Sequence, residues 1–201
     1  MVKIEFHFDF GAPNSYLAWR VFPTITAETG IEFDYRPMLL GGVFKATNNQ
    51  PPMMALKDVP SKLAYQEAET RRFCAIHGIT DYRFNPHFPV NTLTIMRGAI
   101  YAQRQPWFSD YVSAMYAAMW EQGLKMDDPA VVAEVLNAAG LPADELLAAT
   151  QDPAIKQGLV TNTEATVARG TFGAPTFFVG DEQFFGKDKL RDAVEWAQRG
   201  A

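Results

Sequence analysis

The chain has 201 residues, a net charge of −5 and a hydrophobic fraction of 48%, so it can bury the core of a full domain and is not expected to be disordered. Its acidic balance and the lack of a basic run argue against nucleic acid or an anionic membrane surface as a partner. The sequence enters a strand-like segment directly, without the regions of a signal peptide, and has no apolar run long enough to cross a bilayer. We therefore expect a cytoplasmic protein.

The first predicted element is a strand over residues 3–10, in which apolar and polar residues alternate. His7 lies on its polar face, and we interpret it as structural. Gly11 then allows a sharp turn, and Pro13 suits the first position of a helix. Ala12 would therefore be the N-cap, although alanine is worse than serine there by roughly 1 kcal/mol because it has no side-chain oxygen.

Two interpretations of this turn remain open from the segment alone. The free N–H groups and the positive end of the helix dipole suit an anion such as a thiolate or a carboxylate. The same pattern also describes an ordinary strand, turn and helix with an indifferent cap.

The helix that follows is predicted to run to about Thr29 and to stop at Gly30. A second alternating strand covers residues 31–36, and the short crossover favours parallel strands with a right-handed connection. Residues 41–52 contain many turn formers, so we predict a long loop of the kind that often carries function.

The middle of the chain is predicted to be helical. The helices cover residues 61–77, 92–105, 109–122, 129–139, 143–150 and 154–168. Ser109, Asp128 and Pro142 are at their expected starts. The run of Met115, Tyr116, Met119 and Trp120 has helical spacing, which is typical of core.

Cysteine and histidine usage excludes several kinds of site. Cys74 is the only cysteine, so an internal disulfide, a CxxC motif and a zinc ribbon are excluded. We interpret it as a buried structural thiol. The three histidines share no metal-ligand spacing, and we expect no metal site.

The last part of the chain returns to β structure. Residues 170–181 read as a turn, a strand and a tight Gly-Asp hairpin turn, with a short partner strand at 183–185 and a final helix to about Arg199. Pro175 stands at the entrance of a strand, which is unusual. A cis peptide bond between Ala174 and Pro175 would explain it.

The order of these elements is an α/β, thioredoxin-like plan with a large all-helical insertion. We assign residues 1–40 and 167–201 to the thioredoxin-like domain and residues 41–166 to a linker loop and the helical insertion. Within this plan the chain resembles the 2-hydroxychromene-2-carboxylate isomerases and kappa-class glutathione transferases, which are glutathione-using proteins of the DsbA-like superfamily. Four segments carry the resemblance: FDFGAPNSYLA at 8–18, GGVFKATNNQPP at 41–52, HFPVNTLTIMR at 87–97 and GTFGAPTFFVGDEQFFGKDKL at 170–190.

The resemblance implies a thiol site at the first of these segments. In relatives the motif usually reads S-P-x-S, and its first serine bonds the glutathione sulfur and favours the thiolate. That position is Ala12 in this chain, so the expected hydroxyl is missing. Ser15 matches the second serine, but it is a weaker candidate because its side chain is expected to point inward.

Further glutathione contacts are implied on the other segments. Asn49 matches the residue that holds the tripeptide backbone, and Lys45 lies nearby for a carboxylate. Ala174 and Pro175 match the family's cis-proline turn, whose backbone groups pair with the cysteine part of glutathione. Lys187 and Asp188 match the segment at the start of the last helix, where Asp188 would pair with the γ-glutamyl ammonium. Three aromatic residues are candidates for the substrate pocket: Phe44, Phe88 and Trp107.

The implied activity is the isomerisation of a small aromatic substrate with glutathione as the cofactor. Two alternatives stay open, namely a kappa-type glutathione transferase and a glutathione-binding protein without catalysis, which Ala12 makes more credible. The lack of cysteine at positions 12 and 15 excludes a disulfide oxidoreductase. The family also implies a homodimer.

Overall fold

The computed structural model describes residues 3–200. Its strands are β1 (Lys3–Phe8), β2 (Glu32–Pro37), β3 (Thr176–Val179) and β4 (Glu182–Phe185). Its helices are α1 (Pro13–Trp19), α2 (Phe22–Thr29), α3 (Leu40–Thr47), α4 (Pro52–Ala55), α5 (Pro60–His77), α6 (Leu93–Ala102), α7 (Phe108–Trp120), α8 (Pro129–Ala138), α9 (Ala143–Ala149), α10 (Pro153–Ala168) and α11 (Leu190–Gln198). A 3₁₀ turn over Lys187–Lys189 precedes α11.

The strands form one mixed sheet in the order β2-β1-β3-β4. β1 is parallel to β2, as the short crossover predicts, and antiparallel to β3, while β3 and β4 form the predicted hairpin. This is the thioredoxin-like order expected from the sequence, with the helices inserted between β2 and β3. The division into two domains stays a prediction.

The core is built around the apolar face of β1. Phe6 and Phe8 stack at 5.0 Å between ring centroids, and Phe6 also stacks on Phe177 at 5.6 Å. Tyr116 of α7 is 4.9 Å from the ring of Phe10, which joins the helical insertion to the sheet. The four residues predicted as core on α7 are all fully buried, so that prediction is confirmed.

Two secondary-structure predictions were wrong. The first helix is divided into α1 and α2, because Pro23 lacks an N–H and fits the first turn of a new helix. The predicted loop at 41–52 is mostly helix α3. Gly42 allows close packing rather than a turn, since a β-carbon there would lie 3.2 Å from Thr163 Cγ2 of α10.

Several smaller predictions have mixed outcomes. Ser109 is not a cap, because α7 begins at Phe108, whereas Asp128 accepts a hydrogen bond from the N–H of Ala130 as a true cap does. Cys74 is only partly buried. No helix within residues 3–200 is long and apolar enough to cross a membrane.

The polar face of β1 is covered only toward its C-terminal end: Lys3 is exposed, Glu5 is partly buried and His7 is buried. His7 is 4% exposed, its Nδ1 lies 2.6 Å from the Thr166 hydroxyl of α10, and its Nε2 lies 3.0 Å from Glu5. Burial lowers the pKa of His7, against the opposing effect of Glu5. Burial raises the pKa of Glu5, but the hydrogen bonds from His7 and Arg169 outweigh it and leave that pKa lowered.

We expect this cluster to make stability fall in mild acid. A histidine whose folded-state pKa is lowered is protonated more readily in the unfolded chain, so its contribution is present above about pH 6.5 and is lost as the pH falls below it. The lowered pKa of Glu5 adds a further loss below about pH 4.5. Urea unfolding should give a smaller free energy at pH 5.5 than at pH 7.5.

The variant His7→Gln removes this titration and should flatten the change between the two pH values. His87→Gln, at an exposed histidine, is the matched control. An equal pH dependence in wild type and His7→Gln would contradict the assignment.

Candidate functional site

The turn between β1 and α1 has the geometry that the sequence predicts. Ala12 is the N-cap of α1, no side chain caps the helix, and Pro13 is its first residue. The N–H of Ala12 donates to the carbonyl of Asp9 at 3.1 Å, and its own carbonyl accepts the N–H of Ser15 at 2.9 Å. Ala12 is 4% exposed.

A buried carboxyl lies directly beneath this turn. Asp9 is 1% exposed, and its two oxygens accept the N–H of Gly11 at 2.8 Å and the N–H of Leu40 at 2.7 Å. Burial raises the pKa of Asp9, while the backbone hydrogen bonds and the Thr92 side chain act in the opposite direction. Asp9 therefore joins the turn to the first residue of α3.

Ser15 lies inside the protein, as predicted. It is fully buried, and within residues 3–200 its hydroxyl has no hydrogen-bond partner. The buried Tyr116 hydroxyl also has no partner within that range. Burial raises the pKa of Tyr116 well above its ordinary value, and Asp9 adds to the shift. Three polar groups are therefore buried near the turn: the Asp9 carboxyl and the hydroxyls of Ser15 and Tyr116.

The cis peptide bond at Ala174-Pro175 is confirmed. Thr176 is opposite His7 in the antiparallel ladder, so the two preceding residues continue beside the end of β1 as it enters the turn. The Pro175 carbonyl accepts the N–H of Gly186 at 2.9 Å, which ties the proline turn to the start of the final helical segment.

Asn49 is brought next to the proline turn. Its Nδ2 donates to the carbonyl of Phe172 at 2.8 Å, and its Oδ1 accepts the N–H of Gln50 at 2.8 Å. The amide is thus already used to hold the two segments together. Lys45 is exposed near the end of α3.

Lys187 and Asp188 pair with each other. Lys187 is 4% exposed, its Nζ lies 2.5 Å from Asp188 Oδ1, and it stands 4.9 Å from the ring centroid of Phe73. The Asp188 side chain is 63% exposed. Their 3₁₀ turn contacts α1. A ligand ammonium at Asp188 would therefore share the carboxylate with Lys187.

An aromatic surface lies beside the turn. Trp120 is fully buried, and its indole N–H donates to the carbonyl of Phe10 at 2.7 Å. Phe84 and Phe88 lie 6.0 and 6.3 Å from its ring, and Phe84 is 49% exposed. Of the aromatic residues proposed for a pocket, Phe88 lies here, whereas Trp107 packs on Tyr101 at the start of α7.

Two pockets lie away from the turn. One, with a volume of about 60 Å³, is lined by Trp19, Tyr35, Phe108, Ser109 and Val112; it is smaller than the roughly 150 Å³ cavity that holds benzene. The other, of about 120 Å³, has a charged lining that includes Glu5, Arg36 and Arg169. Among the described residues no cluster of His, Cys, Asp and Glu is suited to a metal ion.

The structure brings the turn, Asn49 and the proline turn to one end of the sheet, and places Lys187 and Asp188 against α1. Sequence reasoning missed Asp9, Thr92 and the role of Trp120. The sequence signal for Asp9 is an acidic residue two positions before a glycine turn. The alternation of the strand instead indicated that Asp9 lies on the polar, exposed face. The roles of these residues toward a ligand stay predictions.

Comparisons with known proteins show the family and the fold. A family model described as a DSBA-like thioredoxin domain matches residues 3–195. A 2-hydroxychromene-2-carboxylate isomerase from Sphingobium xenophagum is 30% identical over 93% of each chain, and a glutathione S-transferase kappa 1 from Caenorhabditis elegans is 26% identical over 98% of this chain and 91% of the relative. A solved structure of a 2-hydroxychromene-2-carboxylate isomerase superposes with a TM-score of 0.84 at 26% identity, covering 98% of this chain and 95% of that one.

Proposed function

Since the chain belongs to the DsbA-like thioredoxin family, in the branch of the 2-hydroxychromene-2-carboxylate isomerases and kappa-class glutathione transferases, we propose that it is a glutathione-dependent isomerase of aromatic degradation intermediates. The observation that carries the proposal is the match to an isomerase over 93% of both chains. The meeting of the turn, Asn49 and the cis-proline segment supports the same site.

Glutathione would bind across this end of the sheet. The backbone of Ala174 would pair with its cysteine part, in the manner of an added strand, which would direct the thiol toward Ala12. Asn49 would order the tripeptide backbone both directly and through Phe172. Asp188 would accept the γ-glutamyl ammonium, and the exposed Lys45 would serve a carboxylate.

The chemistry is a reversible addition. The thiolate adds to a conjugated carbon of the cyclic hemiketal, the ring opens, and the former double bond rotates as a single bond. Elimination then restores the thiol and leaves the trans product, so glutathione is regenerated in every cycle. A thiol of this kind has a pKa of about 8.5 when free, so the protein must favour its ionised form.

The aromatic substrate would lie against Phe84 and Phe88. Phe84 is a large apolar side chain, yet it is half exposed. Its partly buried neighbour Phe88 packs near Trp120, whose indole N–H donates to the carbonyl of Phe10 in the turn. Apolar area close to the thiol site suits a flat aromatic acid.

Two other functions have specific support. The likeness to kappa-class transferases favours a reaction that consumes glutathione. Alanine at the position of the relatives' serine favours a protein that binds glutathione without catalysis. In one assay the isomerase and these two alternatives differ in the amount of glutathione consumed for each product formed.

We also propose that the protein acts in the cytoplasm, where glutathione is kept reduced; fractionation of the source cells tests the location.

We further propose that the protein is a homodimer. α5 has 18 residues and none of them is buried. An isolated helix of that length is marginal in water. Exposed apolar side chains lie along it and before it: Met53, Met54, Tyr65 and Ile76.

The main test incubates the protein with 2-hydroxychromene-2-carboxylate and a small amount of glutathione. We expect many turnovers for each glutathione added, followed by absorbance, with free thiol unchanged at the end. Loss of one thiol per product would identify a transferase, and saturable glutathione binding without turnover would identify a binding protein. The variant Ala12→Ser measures what a hydroxyl at this position adds. A tenfold rise in turnover, equivalent to about 1.4 kcal/mol of barrier, would show that the missing hydroxyl limits the wild-type protein, and no change would show that the thiol is activated without it.

The aromatic surface is tested by Phe84→Ala. We expect KM for the aromatic substrate to rise about fivefold to tenfold, as for the loss of roughly 1 kcal/mol of apolar contact, while the Kd of glutathione stays within about twofold. Trp196→Ala, at a partly exposed aromatic residue of α11, is the control. An unchanged KM would remove Phe84 from the substrate site.

Sedimentation at micromolar concentration tests the dimer. We expect the mass of two chains, and we expect the double variant Met54→Glu, Tyr65→Glu to sediment as one chain with its circular dichroism retained. Trp196→Glu should leave the association unchanged. A wild-type protein that sediments as a single chain would contradict the assignment.

A further inference from the structure

Segments from several parts of the chain meet at the Asp9 carboxyl. It is held by the N–H of Gly11 in the turn and the N–H of Leu40 at the start of α3, and the side chain of Thr92 at the start of α6 lowers its pKa. Both oxygens accept backbone N–H groups, which is the arrangement of an ionised carboxylate. A buried carboxylate without a cation is costly, so its retention beneath the turn needs an explanation.

Thr92 is placed to connect this carboxyl with the turn. It is the N-cap of α6, yet its side chain caps no N–H of that helix, and Asn91 accepts the N–H of Leu93 instead. Thr92 is 6% exposed. A β-carbon on Gly11 would lie 3.0 Å from Thr92 Cγ2, 3.3 Å from Asp9 Oδ1 and 3.8 Å from Thr92 Oγ1. The Thr92 side chain and the Asp9 carboxyl therefore meet on the same side of Gly11, the residue that precedes Ala12, with the Thr92 methyl group nearest.

We infer that Thr92 and Asp9 form a proton-accepting pair for a thiol bound at the turn, and that Thr92 supplies the hydroxyl that Ala12 lacks. The inference rests on the proposed function, because it requires glutathione at this turn. Thr92 touches the thiol, and Asp9 is a positioning residue that acts through it.

The proton transfer is balanced without any further reactant. The S–H bond of glutathione breaks and its proton passes to Thr92 Oγ1, while the Thr92 hydroxyl proton passes to the Asp9 carboxylate. The products are the thiolate, a neutral carboxyl and an intact hydroxyl that now donates to sulfur. When elimination releases the thiolate from the product, the same transfers run in reverse.

The surroundings of Asp9 favour this direction of transfer. Burial is the largest influence on its pKa and raises it, which makes the carboxylate a stronger base. Within residues 3–200, no lysine or arginine is among the groups that shift its pKa. Two titratable groups neighbour Asp9. One is the buried phenol of Tyr116 on α7, and the other is His7 on β1, which is hydrogen-bonded to Thr166 and Glu5.

Ser15 is the competing hydroxyl. It is fully buried and also without a partner among the described residues, but it lies one turn inside α1, whereas Thr92 reaches the turn from another helix. Substitutions at the two positions distinguish them.

The experiment measures the pKa of bound glutathione from thiolate absorbance near 240 nm, at saturating glutathione and over a range of pH. We expect Thr92→Val, which keeps the shape and removes the hydroxyl, to raise this pKa by about one unit, a tenfold shift in ionisation. Turnover at pH 7 should fall about tenfold, while the Kd of glutathione changes less than about twofold. Thr92→Ser should restore most of both losses.

Controls separate the relay from general damage. Thr150→Val removes another buried threonine hydroxyl, at the end of α9, and should leave the thiol pKa unchanged. In the Ala12→Ser background Thr92→Val should have a smaller effect, because a second hydroxyl then reaches the sulfur.

The inference is overturned if Thr92→Val leaves the thiol pKa unchanged, if Thr92→Ser is as impaired as Thr92→Val, or if only Ser15→Ala raises the pKa. In each of these cases glutathione still binds and the proposed function stands. If the wild-type protein does not bind glutathione at all, the proposed function and the inference both fail.

Discussion

The hydrogen bonds of the Asp9 carboxyl to Gly11 and Leu40 join the two chain segments on which the candidate site depends. One segment is the turn that ends at Ala12, and the other is α3, which leads to Lys45 and Asn49. Asn49 in turn bonds the loop before the cis proline. Burial of a carboxylate costs free energy that its hydrogen bonds only partly recover, so this junction favours the geometry of the site at some expense of stability.

The rest of the structure supports this junction from outside. Phe8 and Phe10 pack on Tyr116 of α7, and Trp120 of the same helix donates to the carbonyl of Phe10. The turn is therefore held by α7 as well as by α3, while α5 has no buried residue. Such a contrast would suit the proposed thiol site at the turn and the proposed dimer contact at α5.

Much of the fold followed from the sequence, because its signals were local. Gly30 ended a helix in the left-handed conformation, and Pro175 at the entrance of a strand indicated the cis bond. Alternation in the first strand identified its apolar face but misplaced His7 and Asp9, because β1 is one of two inner strands and α10 and α3 cover these two residues. The two glycines of α3 indicated a loop, because the role of Gly42, close packing on Thr163, depends on a helix more than a hundred residues away. The same limit hid Thr92, whose meeting with Gly11 is set by the tertiary fold.

The central claim is that glutathione binds at the turn between β1 and α1. A titration of ¹⁵N-labelled protein with reduced glutathione, followed by backbone amide shifts, tests it most directly. The account predicts saturable changes concentrated at Gly11, Ala12, Asn49, Phe172 and Ala174. Changes confined to the charged pocket of Glu5, Arg36 and Arg169, or no saturable change at millimolar glutathione, would contradict it.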